Sequence, residues 1–395
     1  ELEPFAIALT ESIYAVAKDK HLSVSLRKPA TPEEGNDATA AWLNNQLEER
    51  TFYRRYNANF KSVKKLEGNV GYLELRGFYG VGRGKRFADH AMDMLATSDA
   101  IIIDLRNNSG GRGDMVNYLL SYFFAEPIIA SKTLKRRGDD FIERIHYSAA
   151  RVAGKRMPEV PLFVLTSNTT FSAAEGFSYP LKVYERATFV GETTMGGANP
   201  GDIVRLNNEL QVFISDVSVT HPITDSSWEG IGIAPDIAVA SEEALEIAIE
   251  KAREAARTFR DQNDARAREV LLQLNETVSG FTAGMDNQLI IDAYLACRHY
   301  DLIFEEWELN NLGYQLLSDD ATAAAAEAVF QTNTIFYPHS ANTYDSYADA
   351  LERSGKLAAA AVNYAKAVKL ARAGDGDNLA TFEGNLKRVR AALGE

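Results

Sequence analysis

The chain has 395 residues, 46% hydrophobic and 25% charged, enough for more than one domain and a substantial core. Its net charge of −13 excludes the concentrated basic surface that nucleic acid or an anionic membrane demands, and no apolar run reaches the roughly 20 residues that span a bilayer. Its one cysteine, Cys297, rules out an intrachain disulfide.

The first predicted element is a helix over residues 4–17, with Phe5, Leu9, Ile13 and Val16 at helical spacing. The start at Glu1, just before this helix and without a signal sequence, reads as a trimmed mature form. Residues 20–26 alternate like a strand, and 28–38, rich in Pro, Gly, Asp and Thr, read as a loop. A helix at 38–50 and strands at 58–66 and 70–76 follow. The pattern then becomes α/β: a helix at 86–97, a buried strand at 100–105, a Gly-rich turn and a helix at 113–124. A hairpin centres on 138–140, and a second buried strand at 161–166 ends just before Ser172, which opens a helix to about 184. A strand at 187–190 and several short strands over 202–221 complete this part. The alternation predicts a largely parallel sheet with functional residues at strand ends.

From about 241 the sequence reads as almost wholly helical. Ala326 and Ala360, like Phe330 and Tyr364, recur at a spacing of 34 residues, and Gly313 answers to Ala348 at nearly the same interval. That is the period and the small/aromatic pattern of a tetratricopeptide repeat.

Two segments bear chemistry. Ser172 lies at a strand-to-helix junction, where free N–H groups and positive potential favour a developing oxyanion. The same residues, Ser172-Ala-Ala-Glu175, also fit a capping box, so Ser172 reads both as nucleophile and as helix cap. Asp104-Leu-Arg-Asn-Asn-Ser-Gly-Gly111 follows the other buried strand; its glycines can turn backbone N–H groups into a cleft or simply make a tight turn. Ser62-Val-Lys-Lys65 fits Ser-x-x-Lys without companion motifs, and Gly80-Val-Gly-Arg-Gly-Lys85 matches no nucleotide-binding pattern. No His-Glu-x-x-His or Cys/His cluster is present, so neither a catalytic metal nor a cofactor is expected.

Together with Lys18-Asp-Lys-His-Leu22, Gly71-Tyr-Leu-Glu-Leu75, Thr170-Phe-Ser-Ala-Ala-Glu175, Gly191-Glu-Thr-Thr-Met-Gly-Gly197 and Trp228-Glu-Gly-Ile-Gly-Ile-Ala-Pro-Asp236, the Asp104–Gly111 segment resembles the S41 serine peptidases over about residues 5–250. That family includes tail-specific proteases, the tricorn core and interphotoreceptor retinoid-binding protein. The resemblance implies an α/β, crotonase/ClpP-like core and a serine hydrolase, foremost a peptidase, acting through an acyl-enzyme on Ser172. Tail-specific proteases activate the serine with a lysine of a Gly-Lys-Gly motif, but here the stretch reads Met195-Gly-Gly-Ala-Asn199. Lys182 lies about three turns along the helix that Ser172 opens. The resemblance to the tricorn-like branch instead implies a histidine base at His21, with His221 as runner-up, and a carboxylate at Glu229, 57 residues after the serine. His90, His146, His299 and His339 read as surface or packing residues. The implied oxyanion hole takes the Ala173 N–H and that of Gly110 or Gly111.

The expected organisation is an N-terminal helical subdomain (1–58), a catalytic core (59–255) and an all-α, tetratricopeptide-like domain (256–395). Only about 45 residues separate Leu26 from Gly71, too few for a PDZ domain, so recognition of substrate C-termini is not implied. The partners expected are a peptide or small ester substrate and, on the helical repeats, a protein. The resemblance also implies export to the periplasm or the extracellular space. Two alternatives stay open on the same scaffold: a non-catalytic carrier of apolar ligands, and a hydrolase of small esters or lactones.

Overall fold

A computed structural model of the chain describes residues 2–27, 38–374 and 377–395 and divides into two compact units, 1–260 and 261–395. The loop expected at 28–38 falls, but for its last residue, outside the described residues.

The first unit runs α1 (Leu2–Ala17), β1 (Ser23–Leu26), α2 (Ala38–Tyr56), β2 (Phe60–Leu66), β3 (Val70–Leu75), α3 (Val81–Leu95), β4 (Ala100–Asp104), α4 (Gly113–Leu120), β5 (Ile129–Arg137) and β6 (Asp140–Tyr147). It continues with β7 (Leu162–Thr166), α5 (Ala173–Val183), β8 (Thr188–Gly191), β9 (Gly201–Arg205), β10 (Leu210–Ser215), β11 (Val217–Thr220), β12 (Ile237–Ala238) and the start of α6 (Ala244–Gly280). The main sheet has six strands in the order β12-β8-β7-β4-β3-β2. Every pairing in it is parallel except β2 with β3. The sheet is therefore mixed, with its antiparallel strand at one edge.

Both faces of the sheet are covered, which is why its central strands read as unbroken apolar runs. Along β4, Ile101 and Ile103 point into one core with Met115, Phe177 and Leu181, while Ala100 and Ile102 point into the other. β7 divides the same way, Leu162 and Val164 against Phe163 and Leu165. On the second face Ala244, Ala248, Ala252 and Ala256, one helical turn apart on α6, are all fully buried against the sheet. A row of methyl groups lets the helix lie close to the strands. Each large aliphatic side chain so enclosed contributes about 1.5–3 kcal/mol.

Two further sheets of three strands flank the site. In one, β1 pairs antiparallel with β10, Ser23 opposite Phe213, and β10 pairs with β9. α1 is fastened to β1 by the Val24 N–H, which donates to Thr10 Oγ1 at 2.8 Å, and by Ala6 packed with Val24, Leu210 and Val212. The strand predicted from residue 20 begins only at Ser23, because Asp19 Oδ1 accepts the His21 N–H at 2.8 Å and bends the chain locally. In the other sheet β5 lies between β11 and the hairpin partner β6.

α3 starts at Val81 rather than 86 and takes in most of the glycine-rich stretch. Val81, Ala88, Ala91, Met92 and Leu95 form one apolar stripe, and its burial overrides the poor helix propensity of glycine.

The second unit contains the rest of α6 and α7 (Gln288–His299), α8 (Glu306–Leu317), α9 (Ala323–Phe336), α10 (Ala341–Arg353), α11 (Leu357–Ala373) and α12 (Leu379–Leu393). The positions that recur in the sequence are its interior: Ala326, Phe330, Ala348, Ala360 and Tyr364 are all fully buried. Asp345, on α10, is also buried and accepts hydrogen bonds from Asn385 Nδ2 at 3.1 and 3.3 Å. Burial pushes its carboxyl up to about 6. No helix among the described residues is long and apolar enough to cross a membrane.

Candidate active site

β7 and β4 are neighbours in the sheet, so the loops leaving their C-terminal ends lie side by side. The two loops are laced together. Thr170 Oγ1 donates to Leu105 O at 2.9 Å, Ser167 Oγ to Arg106 O at 2.5 Å, and the Phe171 N–H to Asn108 O at 3.1 Å. Ser172 follows at once as the N-cap residue of α5, with φ 55° and ψ −119°. That conformation is one glycine adopts readily and serine does not, and strained residues of this kind gather at functional sites. The half-buried serine is thus fixed by two strand ends and a helix start.

Gly110 and Gly111 have φ of +113° and +136°. A Cβ on Gly110 would lie 2.8 Å from Ser172 Cβ, so the glycine loop lies directly against the serine. The two N–H groups differ in what they do. Gly110 N–H donates to Asn108 Oδ1 at 2.9 Å, and Asn108, fully buried, is itself held by donating to Leu75 O. Around Gly111 the bridge to Phe78 uses the Gly110 carbonyl and the Arg112 N–H, leaving the Gly111 N–H out of it. Gly111 and Ala173 both line the cavity that contains Ser172. Of the two glycines left open by the sequence, Gly111 has the donor to spare.

Glu175, which the sequence marked only as a capping partner, is fully buried and accepts four hydrogen bonds. Oε2 takes the N–H groups of Ser172 and Gly197, both at 2.9 Å. Oε1 takes Thr194 Oγ1 at 2.5 Å and the Gly196 N–H at 2.6 Å. Burial raises its pKa, and these four donors oppose that rise. One carboxylate thereby ties the nucleophile's backbone to the 194–197 segment. That segment has little room: a Cβ on Gly197 would lie 2.0 Å from the Phe171 ring and 2.9 Å from His21 Cε1.

His21 stands against Phe171, ring centroids 4.4 Å apart, and near Phe213 of β10 at 5.8 Å. Its side chain is 9% exposed, and both ring nitrogens are buried without a hydrogen-bond partner. No hydrogen bond links it to Ser172 among the described residues. Asp19 Oδ1 lies 3.8 Å from His21 Nδ1. Burial lowers the His21 pKa, and the Asp19 charge partly raises it again. Glu229 Oε2 accepts the Ala198 N–H at 2.6 Å and the Asn199 N–H at 3.2 Å, while Oε1 is buried and unpartnered. Burial raises its pKa as well, against the pull of those N–H donors. Ligand atoms of Asp19, His21 and Glu229 all lie within 4.8 Å of one another. The structure therefore brings His21 and Glu229 together and adds Asp19.

The other candidates lie elsewhere. His221 is fully buried, with Nε2 3.2 Å from Ile129 O and Nδ1 accepting the Ile223 N–H at 3.3 Å, so neither ring nitrogen is spare. Lys182 is paired with Asp236. His146, expected as a surface or packing residue, lines the Ser172 cavity, its Nε2 2.8 Å from Thr133 Oγ1. That cavity holds about 400 Å³ and is walled by Val116, Ala130, Val219 and Trp228 as well. No local motif marks His146; only the pairing of β5 with β6 brings it there.

Comparison with known proteins gives the following similarities. The sequence profile of Peptidase family S41 matches residues 69–239. A carboxyl-terminal-processing protease from Synechocystis sp. is 27% identical over 170 residues, 42% of this chain and 37% of that protein. The chain thus spans little more than a third of the length of this curated relative. Among solved structures, a provisionally named peptidase from Parabacteroides merdae is 24% identical with a TM-score of 0.46, covering 62% of this chain and 81% of that one. The photosystem II D1 C-terminal processing protease is 22% identical with a TM-score of 0.36, covering 45% of each chain. Residues 69–239, which carry the glycine loop, Ser172 and Glu229, are thus similar to peptidase family S41.

Proposed function

We propose that this chain is a serine peptidase that cleaves through an acyl-enzyme on Ser172, with His21 as base and Glu229 as its supporting carboxylate. The observation that carries the reading is the strained Ser172 at the N-terminus of α5, against a glycine loop whose Gly111 N–H is unused, at the mouth of a largely apolar cavity. The Ser172 hydroxyl attacks the scissile carbonyl and its proton passes to His21. The oxyanion accepts from the Ala173 and Gly111 N–H groups, and the α5 terminus adds positive potential. The imidazolium then protonates the leaving amine, and water releases the acyl group by the reverse sequence. The substrate side chain next to the scissile bond occupies the cavity beside Trp228.

Met195-Gly-Gly-Ala-Asn199 carries no lysine and Lys182 is engaged with Asp236, which supports a histidine-based rather than a Ser–Lys mechanism. The helical hairpins of the second unit, with buried small and aromatic residues at a constant spacing, support a tetratricopeptide-like, partner-binding role. Export to the periplasm or beyond is part of the same reading, and cell fractionation tests it.

Labelling of purified protein with a fluorophosphonate probe, mapped by peptide mass spectrometry, tests the chemistry. Stoichiometric labelling of Ser172 that fades in His21→Ala is expected. No labelling of a folded sample would overturn the hydrolase reading and favour a carrier of apolar ligands in the same cavity. Labelling with turnover of esters but of no peptide would limit the activity to small esters.

A further inference from the structure

We propose that Asp19, His21 and Glu229 form an inhibitory site for a divalent transition-metal ion, zinc above all, that captures the histidine base. The proposal rests on the role of His21 given above and adds a means of switching it off.

Three observations converge. The ligand atoms of the three residues lie within 4.8 Å of one another. Zinc bonds of about 2.0–2.2 Å bring ligand atoms to roughly 3.5 Å, so small side-chain rotations close the gap. His21 is nine-tenths buried with both ring nitrogens unpartnered, and Glu229 Oε1 is buried and unpartnered beside it. Buried polar atoms in folded proteins are nearly always satisfied, and several orphans in one place call for an occupant. The outer contacts are also those of a built site. Glu229 Oε2 is held by the Ala198 and Asn199 N–H groups, and Asp19 Oδ1 by the His21 N–H, so both carboxylates are oriented by backbone donors. The cation whose charge reaches Glu229, Lys20, is engaged with the Met195 carbonyl rather than neutralising the pair.

The donor set selects the ion. One imidazole nitrogen and two carboxylates suit zinc with a fourth position left for water, whereas calcium and magnesium prefer all-oxygen shells. Asp19 and His21 are two residues apart but Glu229 lies 208 residues after His21, so no metal-binding motif announces the set. A metal on the His21 lone pair leaves the Ser172 proton without an acceptor. The ion therefore inhibits rather than assists.

The test uses metal-stripped Ser172→Ala protein, whose zinc binding is read by calorimetry and by the rise in its melting temperature, without any activity. One equivalent of zinc should bind and stabilise the fold. His21→Ala should abolish binding, and the near-isosteric Asp19→Asn should weaken it at least about tenfold. In parallel, zinc should slow fluorophosphonate labelling of the wild type, and chelator should restore it. No binding at submillimolar zinc, or binding equal in the parent and the folded Asp19→Asn protein, overturns the proposal. Labelling in chelator without zinc binding removes the metal site and leaves the peptidase. Zinc binding lost in His21→Ala, with no labelling in chelator, does the reverse.

Discussion

Glu175 should matter as much as the serine it touches, and its environment says how much. Its two oxygens serve four donors in a fully buried setting. In Glu175→Gln one oxygen becomes an NH2 group. The amide will keep its oxygen toward the two backbone N–H groups of Ser172 and Gly197 and turn its NH2 toward Thr194, whose hydroxyl can rotate to accept. The Gly196 N–H then faces a donor. One buried donor without a partner costs about 1–3 kcal/mol, so Glu175→Gln should fold, weakened by that amount. Glu175→Ala unpairs all four donors and should cost more than about 4 kcal/mol, a large share of a typical stability of 5–15 kcal/mol. Urea denaturation measures the stabilities, and the rate of phosphonate labelling at Ser172 measures the site. Labelling should fall further in Glu175→Ala than in Glu175→Gln, because Gly197 carries the packing against His21. If Glu175→Ala remained within 1 kcal/mol of wild type, the carboxylate would not be the hub described here.

Further outcomes follow from the same geometry. Ser172→Gly removes the nucleophile but relieves a backbone strain of about 1–3 kcal/mol, less about 0.5–1 kcal/mol for glycine's added freedom when unfolded. It should be at least as stable as the wild type by chemical denaturation, and a clear loss would refute the strain argument. His21 must be neutral to act as a base, and burial lowers its pKa below 6.5. The labelling rate in chelator should therefore hold down to below pH 6.5 before it falls; Asp19→Asn, which removes the raising charge, should move that limb to lower pH. A depressed histidine pKa also means that its contribution to stability is present at neutral pH and is lost as pH falls below 6.5. Asp345 has the opposite sign: its pKa is raised from 3.8 to about 6, so its contribution is fullest at low pH and is lost as pH rises through that interval. Asp345→Asn should stabilise the chain at pH 7 by about 1–2 kcal/mol in thermal or urea unfolding, allowing for partial solvent screening.

What could be read from the sequence was mostly local. Ile101-Ile-Ile103 and Leu162–Leu165 announce buried strands, and the apolar periodicity of α1 announces a helix. Ser172 stood out because a strand end, a small loop and a helix start adjoin it in sequence. The start of α3 was misread because glycine propensity is local and weak while the burial that overrides it is tertiary. His21 and Glu229 could be paired only by family resemblance, since nothing in either segment refers to the other. The position of His146 depends on hairpin register, the choice of Gly111 over Gly110 on the Asn108 side chain, and the weight of Glu175 on two glycine N–H groups about twenty residues away. Each is a matter of which backbone groups remain unpaired after folding, which residue types alone do not declare.

The pairing of β1 with β10 has a consequence in time. His21 precedes β1, whose partner strand ends near residue 215, so the histidine is seated by a segment synthesised long after it. The parallel strands β3, β4 and β7 and the Ser172 turn emerge earlier and can assemble first. A nascent chain can thus hold the strands that seat Ser172 before His21 is fixed, and under the proposed mechanism it gains its base only once β1 has paired with β10.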